Sequence, residues 1–377
     1  MRRLQHRDPM MPDLALIASH FCIGEEYQRA ERVRSGHINE GYVAWFRTAG
    51  GEARRYVLQR INHHVFRSPE YLMENMEAVT AHLRAKLKAA GGDPDRETLT
   101  LVRTVDGGAL HRTRSGEYWR AMPFIEGARS YEQAANPGQV RGAGRAFGRF
   151  LALLSDFPVA QLHETIPGFH HTPGRVEALR DAVRRDTAGR ARAARNEIAF
   201  VEERAATTTE LLDLQEAGRL PLRVTHNDTK LDNVLIDDET GEGICVIDLD
   251  TVMPGLAAYD FGDAVRSMAN SAAEDERDLD RASLDLEAYE QLAAGYLEGA
   301  GGFLTPAEID SLTTGARLMT LECGIRFLTD HLDGDRYFRT RRPDHNLDRC
   351  RTQFKLVREM ESKRGTMQRI VDRYQPR

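Results

Sequence analysis

Long apolar runs are missing from this sequence, which sets membrane-spanning helices aside, since one crossing needs about 20 mostly apolar residues. Behind Met1-Arg2-Arg3, the stretch Leu14-Ala15-Leu16-Ile17 is too short and too polar-flanked for a secretory leader. A basic excess is missing too. The formal net charge is −6, so nothing favours nucleic acid as a partner. The arginines between Arg184 and Arg204 are interleaved with Asp186, Glu197, Glu202 and Glu203, which reads as a solvated helix face. Cysteine is scarce. Cys22, Cys245, Cys323 and Cys350 show no close pair and no metal-ligand spacing, so a disulfide framework is excluded and a reducing, cytoplasmic setting is expected. Internal repeats and low-complexity linkers are also missing. What remains is a chain of 377 residues, 41% hydrophobic and 29% charged, enough for two packed units.

Periodicity divides the chain unevenly. A helical pattern runs from Met11 to Phe21, then strand, glycine-bearing turn and strand from Val33 to Phe46. A third strand is expected over Arg55 to Asn62. Ser68-Pro69-Glu70 opens a helix whose apolar face is Tyr71, Leu72, Met76, Val79, Leu83 and Leu87, and Gly91-Gly92 ends it. Further strands are expected near Thr98 to Thr104 and Tyr118 to Phe124. Beyond the connector Pro123-Phe124-Ile125-Glu126-Gly127 the pattern turns helical: one helix over Ala134 to Ser155, a helical hairpin over Arg175 to Glu216, and several helices after Leu279. The expected fold class is α+β and bilobal, with a small antiparallel-sheet lobe (1–122) and a mostly helical lobe (123–377).

One stretch carries chemistry. Thr225-His226-Asn227-Asp228-Thr229-Lys230-Leu231-Asp232-Asn233 is followed by Val234-Leu235-Ile236, a polar turn, and Ile244-Cys245-Val246-Ile247 leading into Asp248. The two β-branched runs around the turn signal a hairpin. Antiparallel pairing brings Asn233 and Asp248 to the same end, beside the loop that carries Asp228. Two oxygen ligands there suit Mg²⁺. Asp228 is then placed to accept the proton of an attacking hydroxyl, and H-x-D-x-K-x-x-N has the order of a kinase catalytic loop. Asp250 is open among a second metal contact, a substrate contact and a plain loop acid. A literal Asp-Phe-Gly at Asp260-Phe261-Gly262 invites confusion with a metal-binding triplet. Asp260 follows a loop and opens a helical pattern, so it is expected to cap a helix or tie down loop N–H groups.

The element order and the loop at 226–233 resemble the aminoglycoside phosphotransferase and choline kinase superfamily. Ser35-Gly36-His37-Ile38-Asn39, Tyr56 to Asn62, Leu72-Met73-Glu74-Asn75, Trp119 to Phe124, Leu321 to Phe327 and Asn346 to Arg351 are similar to stretches of bacterial N-acetylhexosamine 1-kinases. The resemblance covers nearly the whole chain. It implies that Asp228 positions or deprotonates the acceptor hydroxyl, that Lys230 lies near the transferring phosphoryl, and that Asn233 and Asp248 hold Mg²⁺. It implies that the turn with Gly36, His37, Ile38 and Asn39 covers the phosphates of ATP. The backbone of Met122 to Ile125 would bond the base, with Phe124 packing on it. One departure stands out: many kinases present a lysine to the phosphates from the third strand, and here the position holds Gln59, with Arg60 beside it on the opposite face, so either Gln59 does a weaker version of the job or local geometry turns Arg60 inward.

Hydroxyl-reading groups concentrate between Arg326 and Arg351. Arg326 and Asp330 are four apart on a helical run and share a face. With Tyr337, His345, Arg349 and Asp250 they form the expected substrate set. Arginines there argue against a quaternary amine, which would want an aromatic cage. The expected activity is transfer of the γ-phosphoryl of ATP to the anomeric hydroxyl of an N-acetylhexosamine, with small-molecule partners and no nucleic acid or membrane. The alternatives are a kinase of another small alcohol, an aminoglycoside or a choline-like amine, and a silent nucleotide-binding module favoured by the missing lysine.

Overall fold

The first third of the chain builds a five-stranded antiparallel sheet. The computed structural model describes residues 12–33 and 38–375. Gly36 and His37 therefore lie outside the described residues. The chain divides into two compact units, residues 1–80 with 99–126 and residues 81–98 with 127–377.

In the first unit the helix α1 (Leu14–Ser19) precedes β1 (Glu26–Arg32), β2 (Glu40–Arg47) and β3 (Ala53–Ile61). After α2 (Pro69–Ala89), whose end falls in the second unit together with a four-residue helix α3 (Pro94–Glu97), come β4 (His111–Arg112) and β5 (Tyr118–Pro123). The strand order is β1-β2-β3-β5-β4. On one face Tyr42, Ala44, Phe46, Leu58, Trp119 and Ala121 pack with Leu14, Ile17 and Ala18 of α1. The strand expected over Thr98 to Thr104 does not form. That segment is extended: Val102 N–H donates to Ala121 O of β5 at 2.9 Å, while Thr104 bridges to Phe21, which lies before β1 and outside the sheet. Thr98, Leu99 and Thr104 are buried there as packing, without a ladder.

The second unit is mostly helical. A short strand β6 (Ala128–Arg129) leads to α4 (Pro137–Leu153), α5 (Thr172–Arg185), α6 (Arg195–Glu202) and α7 (Glu210–Glu216). The expected hairpin over 175–216 is thus three helices. Asp186 ends α5 in a left-handed turn, φ 38°, accepting Ala191 N–H, so the chain reverses earlier than periodicity indicates. Next come β7 (Arg223–Thr225), the hairpin β8 (Val234–Asp237) and β9 (Gly243–Val246), and β10 (Met253–Gly255), which pairs with β7. Four helices close the unit: α8 (Ala257–Met268), α9 (Leu286–Ala300), α10 (Pro306–Asp333) and α11 (His345–Tyr374). Among the described residues, no helix is long and apolar enough to cross a membrane.

Glycines set how closely these helices approach. A Cβ on Gly148 of α4 would lie 2.1 Å from Tyr296 O of α9, and one on Gly295 of α9 would lie 2.1 Å from Arg141 O. Likewise a Cβ on Gly262 of α8 would meet Gly315 O of α10 at 2.3 Å. Backbone touches backbone at these crossings, and no side chain fits between them.

Candidate active site

The loop between β7 and β8 is held by carboxylates from α8. Asp260, in the first turn of α8, accepts His226 N–H at 2.8 Å and Asn227 N–H at 2.7 Å. Asp263, one turn on, accepts Thr229 N–H at 2.9 Å and is itself paired with Arg266 at 2.8 Å. Burial pushes the Asp260 carboxyl up to about 6, against His226 and the two loop N–H bonds, which pull it down. The Asp-Phe-Gly triplet is thus a backbone clamp. Asn227 takes the left-handed region at φ 64°, which Asn tolerates better than most residues. Its amide donates to Thr251 O at 2.8 Å and accepts from Thr225 Oγ1 at 3.0 Å. His226 is fully buried; Nε2 faces Ile247 O at 2.9 Å and Nδ1 accepts Asp228 N–H at 3.2 Å. The carbonyl can only accept, so the ring hydrogen sits on Nε2.

Asp228 emerges from this frame about one third exposed, with Lys230 Nζ 3.3 Å from its Oδ2. Burial would raise its carboxyl, but Lys230, His226, the Asn233 amide and Arg266 outweigh that and hold it below the usual carboxylate value. Burial likewise opposes the charge on Lys230, yet Asp228, Asp232, Asp248 and Asp263 raise it. Asn233 donates through Nδ2 to Asp228 O at 2.7 Å and Asp228 Oδ2 at 2.9 Å. Both partners are acceptors, so the amide orientation is forced and Oδ1 is turned away from Asp228. Across the hairpin Ile247 N–H donates to Asn233 O at 2.9 Å, and Asp248 follows in a left-handed conformation, φ 57°. One amide oxygen and one carboxylate at adjoining positions form a donor set that fits a hard divalent cation such as Mg²⁺. Asp250 is buried in the helical turn Leu249–Thr251, where its carbonyl accepts Thr165 Oγ1 at 3.1 Å.

A second buried pair braces the same loop. His170 Nδ1 lies 2.8 Å from Glu322 Oε1, its Nε2 lies 3.2 Å from Asn227 O, and Thr172 Oγ1 donates to Glu322 Oε2 at 2.7 Å. Burial works against the imidazolium, but Glu322 outweighs it and His170 is shifted up, while Glu322 is shifted down. Sequence reading missed His170, Thr172 and Asp263. His170 and Glu322 lie 152 positions apart, and no local pattern joins them.

The expected substrate set divides. Asp330 is buried and spent on the chain: Oδ1 accepts Arg336 and Tyr337 N–H at 2.8 Å each, and Oδ2 accepts Phe338 N–H and Asn346 Nδ2 at 2.9 Å. The structure does not pair it with Arg326. His345 is buried between Arg341 N–H at 3.1 Å and Asp275 Oδ2 at 2.9 Å. Arg349 donates to Asn346 Oδ1 at 3.2 Å and lies over the Phe327 ring. Arg326 is different. Its guanidinium lies over Phe169, Tyr337 and Phe338 at 5.4, 5.9 and 5.5 Å, and among the described residues it makes no ion pair. Tyr337 is exposed. Arg175 stands close enough that burial and Arg326 together lower its own affinity for a proton.

The first unit holds the remaining candidates. Ile38 O accepts Asn62 Nδ2 at 3.3 Å and Asn39 Oδ1 accepts Asn62 N–H at 2.9 Å, tying residues 38 and 39 to the end of β3. Met122 and Ile125 are buried. Phe124 N–H already donates to Arg55 O at 3.0 Å, and the Arg55 guanidinium covers the Phe124 ring at 3.9 Å. Arg60 shares the α1 face with Tyr42 and Trp119 and pairs with Glu40 and Glu117. Gln59 points to the other face, beside Arg120.

The sequence profile of the phosphotransferase enzyme family matches residues 29–295, well over half of the chain. The chain belongs to this phosphotransferase family. Solved structures give the same fold at low identity. An aminoglycoside phosphotransferase from Alicyclobacillus acidocaldarius superposes with a TM-score of 0.60 at 14% identity, covering 98% of this chain and 99% of that one. A choline kinase from Cryptosporidium parvum gives 0.57 at 13%, covering 96% and 98%. An amicoumacin kinase, solved with AMP-PNP and Ca²⁺, gives 0.56 at 14%, covering 93% and 92%. The phosphotransferase therefore has the α+β architecture of these kinases, an antiparallel-sheet unit and a mostly helical unit.

Proposed function

We propose that this phosphotransferase is a small-molecule kinase that moves the γ-phosphoryl of ATP to the anomeric hydroxyl of an N-acetylhexosamine such as GlcNAc or GalNAc, giving the sugar 1-phosphate. The observation that carries the reading is the Asp228 carboxylate, held by Lys230 and the Asn233 amide on a loop whose N–H groups at 226, 227 and 229 are tied down. Asp228 receives the acceptor proton and orients the hydroxyl; Lys230 offsets charge on the transferring group. An ionised, weakly basic carboxylate suits this role, because an anomeric hydroxyl is more acidic than an ordinary alcohol. Asn233 and Asp248 would hold Mg²⁺, which supplies charge neutralisation on the phosphate oxygens when bound.

The acceptor wall supports a sugar over a polycation. Arg326 sits among three aromatic rings without a carboxylate partner among the described residues, and Arg175 adds a second positive charge beside it. Aromatic faces and guanidinium donors suit a neutral polyhydroxylated ring carrying an amide. They repel an aminoglycoside and offer no cage free of cations for choline. The test is incubation with ATP, Mg²⁺ and a panel of hexosamines, choline and kanamycin, reading phosphorylated product. Sugar 1-phosphate is expected. Turnover of kanamycin or choline without any hexosamine would overturn the acceptor assignment. Asp228→Asn is expected to lower kcat by about 10²–10⁴-fold with the melting temperature unchanged.

A further inference from the structure

Arg120 is among the largest fully buried side chains of the described residues, 1% exposed, in the middle of a β-sheet. Buried guanidinium groups need a strong reason and good partners. Its Nε and Nη2 both donate to Gln59 Oε1, at 3.0 and 2.7 Å, and its Nη1 lies 3.4 Å from Met76 Sδ of α2. A guanidinium has only donors, so the atom of Gln59 that faces it must be the oxygen. The amide nitrogen is consequently turned the other way. Among the described residues Gln59 Nε2 makes no hydrogen bond.

Register places Gln59 on the face that α2 covers at Arg120. Gly41, Gln59 and Arg120 stand opposite one another on β2, β3 and β5. Residues directly opposite in antiparallel strands share a face, and Gly41 contributes no side chain to cover Gln59. The other face is sealed by α1 over Tyr42, Leu58 and Trp119. Gly41, in the first turn-proximal positions of β2, follows Ile38 and Asn39, which hydrogen-bond Asn62 at the end of β3. Gln59 itself is half-buried, so its amide nitrogen stands at the edge of that cover, with the Arg120 guanidinium behind the amide.

We propose that Gln59 and Arg120 together replace the third-strand lysine: Gln59 Nε2 donates to the phosphates of the bound nucleotide, and Arg120, on β5, supplies the charge through the amide. This rests on the kinase reading above. Gln59 touches the ligand, and Arg120 is a positioning residue that fixes the amide and polarises it. A neutral donor backed by a buried cation attracts a phosphate oxygen without exposing a flexible lysine to solvent.

Gln59→Glu is the decisive variant. It keeps the shape and gives Arg120 a better partner, but turns a carboxylate oxygen toward the phosphates in place of the NH₂. Calorimetric titration of the full chain with ADP and with adenosine, both with Mg²⁺, is the measurement. The ADP dissociation constant is expected to rise about 10–100-fold, with adenosine binding and melting temperature unchanged or the latter raised. Gln59→Leu is expected to weaken ADP about tenfold. Arg120→Lys, the conservative variant, should retain more ADP affinity than Arg120→Gln. If folded Gln59→Glu binds ADP within twofold of the wild type, Gln59 only anchors Arg120 and the proposal is overturned. A wild type that binds ADP in a Gln59-dependent way yet phosphorylates no acceptor would overturn the kinase reading and leave this one standing. A wild type that does not bind ADP overturns both.

Discussion

The loop at 226–233 and the segment at 330–349 are built by the same device and put to different ends. In each, a buried aspartate gathers backbone N–H groups: Asp260 takes His226 and Asn227, and Asp330 takes Arg336, Tyr337 and Phe338. In the first, the clamp comes from a separate helix and leaves the acidic side chain of the loop itself, Asp228, outside the frame. In the second, the clamp consumes an acid that composition marked as a ligand-binding group, and leaves Arg326 and Tyr337 over. Carboxylates in such a fold divide into those that hold chain and those that face solvent, and only the second kind is free for chemistry.

The comparison breaks most visibly at Asp330. Asp330→Ala strands three backbone N–H groups and the Asn346 amide, and is expected to cost about 3–5 kcal/mol of stability, read by urea unfolding. Wild-type stability with collapsed acceptor turnover would make Asp330 a contact and not a clamp. Asp260→Asn keeps one acceptor and sets an amide N–H against the other donor. A loss of about 1–3 kcal/mol and about tenfold in kcat is expected.

The same residue sets a pH signature. As pH falls through about 6, Asp260 takes a proton and one acceptor oxygen becomes a hydroxyl, so kcat falls. Stability moves the other way. The folded chain binds this proton more tightly than the unfolded one, where the ordinary value is 3.8, so between 3.8 and about 6 acidification favours the fold as far as this group is concerned. Side-by-side profiles of kcat and melting temperature check this, and the limb near 6 should vanish in Asp260→Asn. The smallest effect sharpens the acceptor side: Arg326→Gln is expected to raise the acceptor KM about tenfold, with the nucleotide KM and stability unchanged.

Sequence alone made the first region legible and left the second opaque. Asp228, Lys230, Asn233 and Asp248 stand at spacings that a loop and hairpin enforce, so the motif carries its own geometry. The decoy at Asp260 could be separated because a helical pattern begins there. Between Arg326 and Arg351 every polar residue looks alike in one dimension. What separates Asp330 and His345 from Arg326 is which backbone N–H groups curl back onto them, and no spacing encodes that. The strand expected at 98–104 failed for a related reason: its β-branched residues pack, but its backbone forms no continuous ladder with the sheet. Arg120 escaped notice inside an apolar strand, because the partner that justifies it is 61 positions away.

The contact of Gly262 with Gly315 reaches further than its own helix crossing. Gly262 sits between Asp260 and Asp263, so whatever separates α8 from α10 also shifts both carboxylates that set the loop. A single added methyl at either glycine, far from any reacting atom, would be transmitted as an error in where Asp228 stands. The placement of the Asp228 loop therefore depends on two positions without side chains, and substitution has little room even where the protein looks chemically blank.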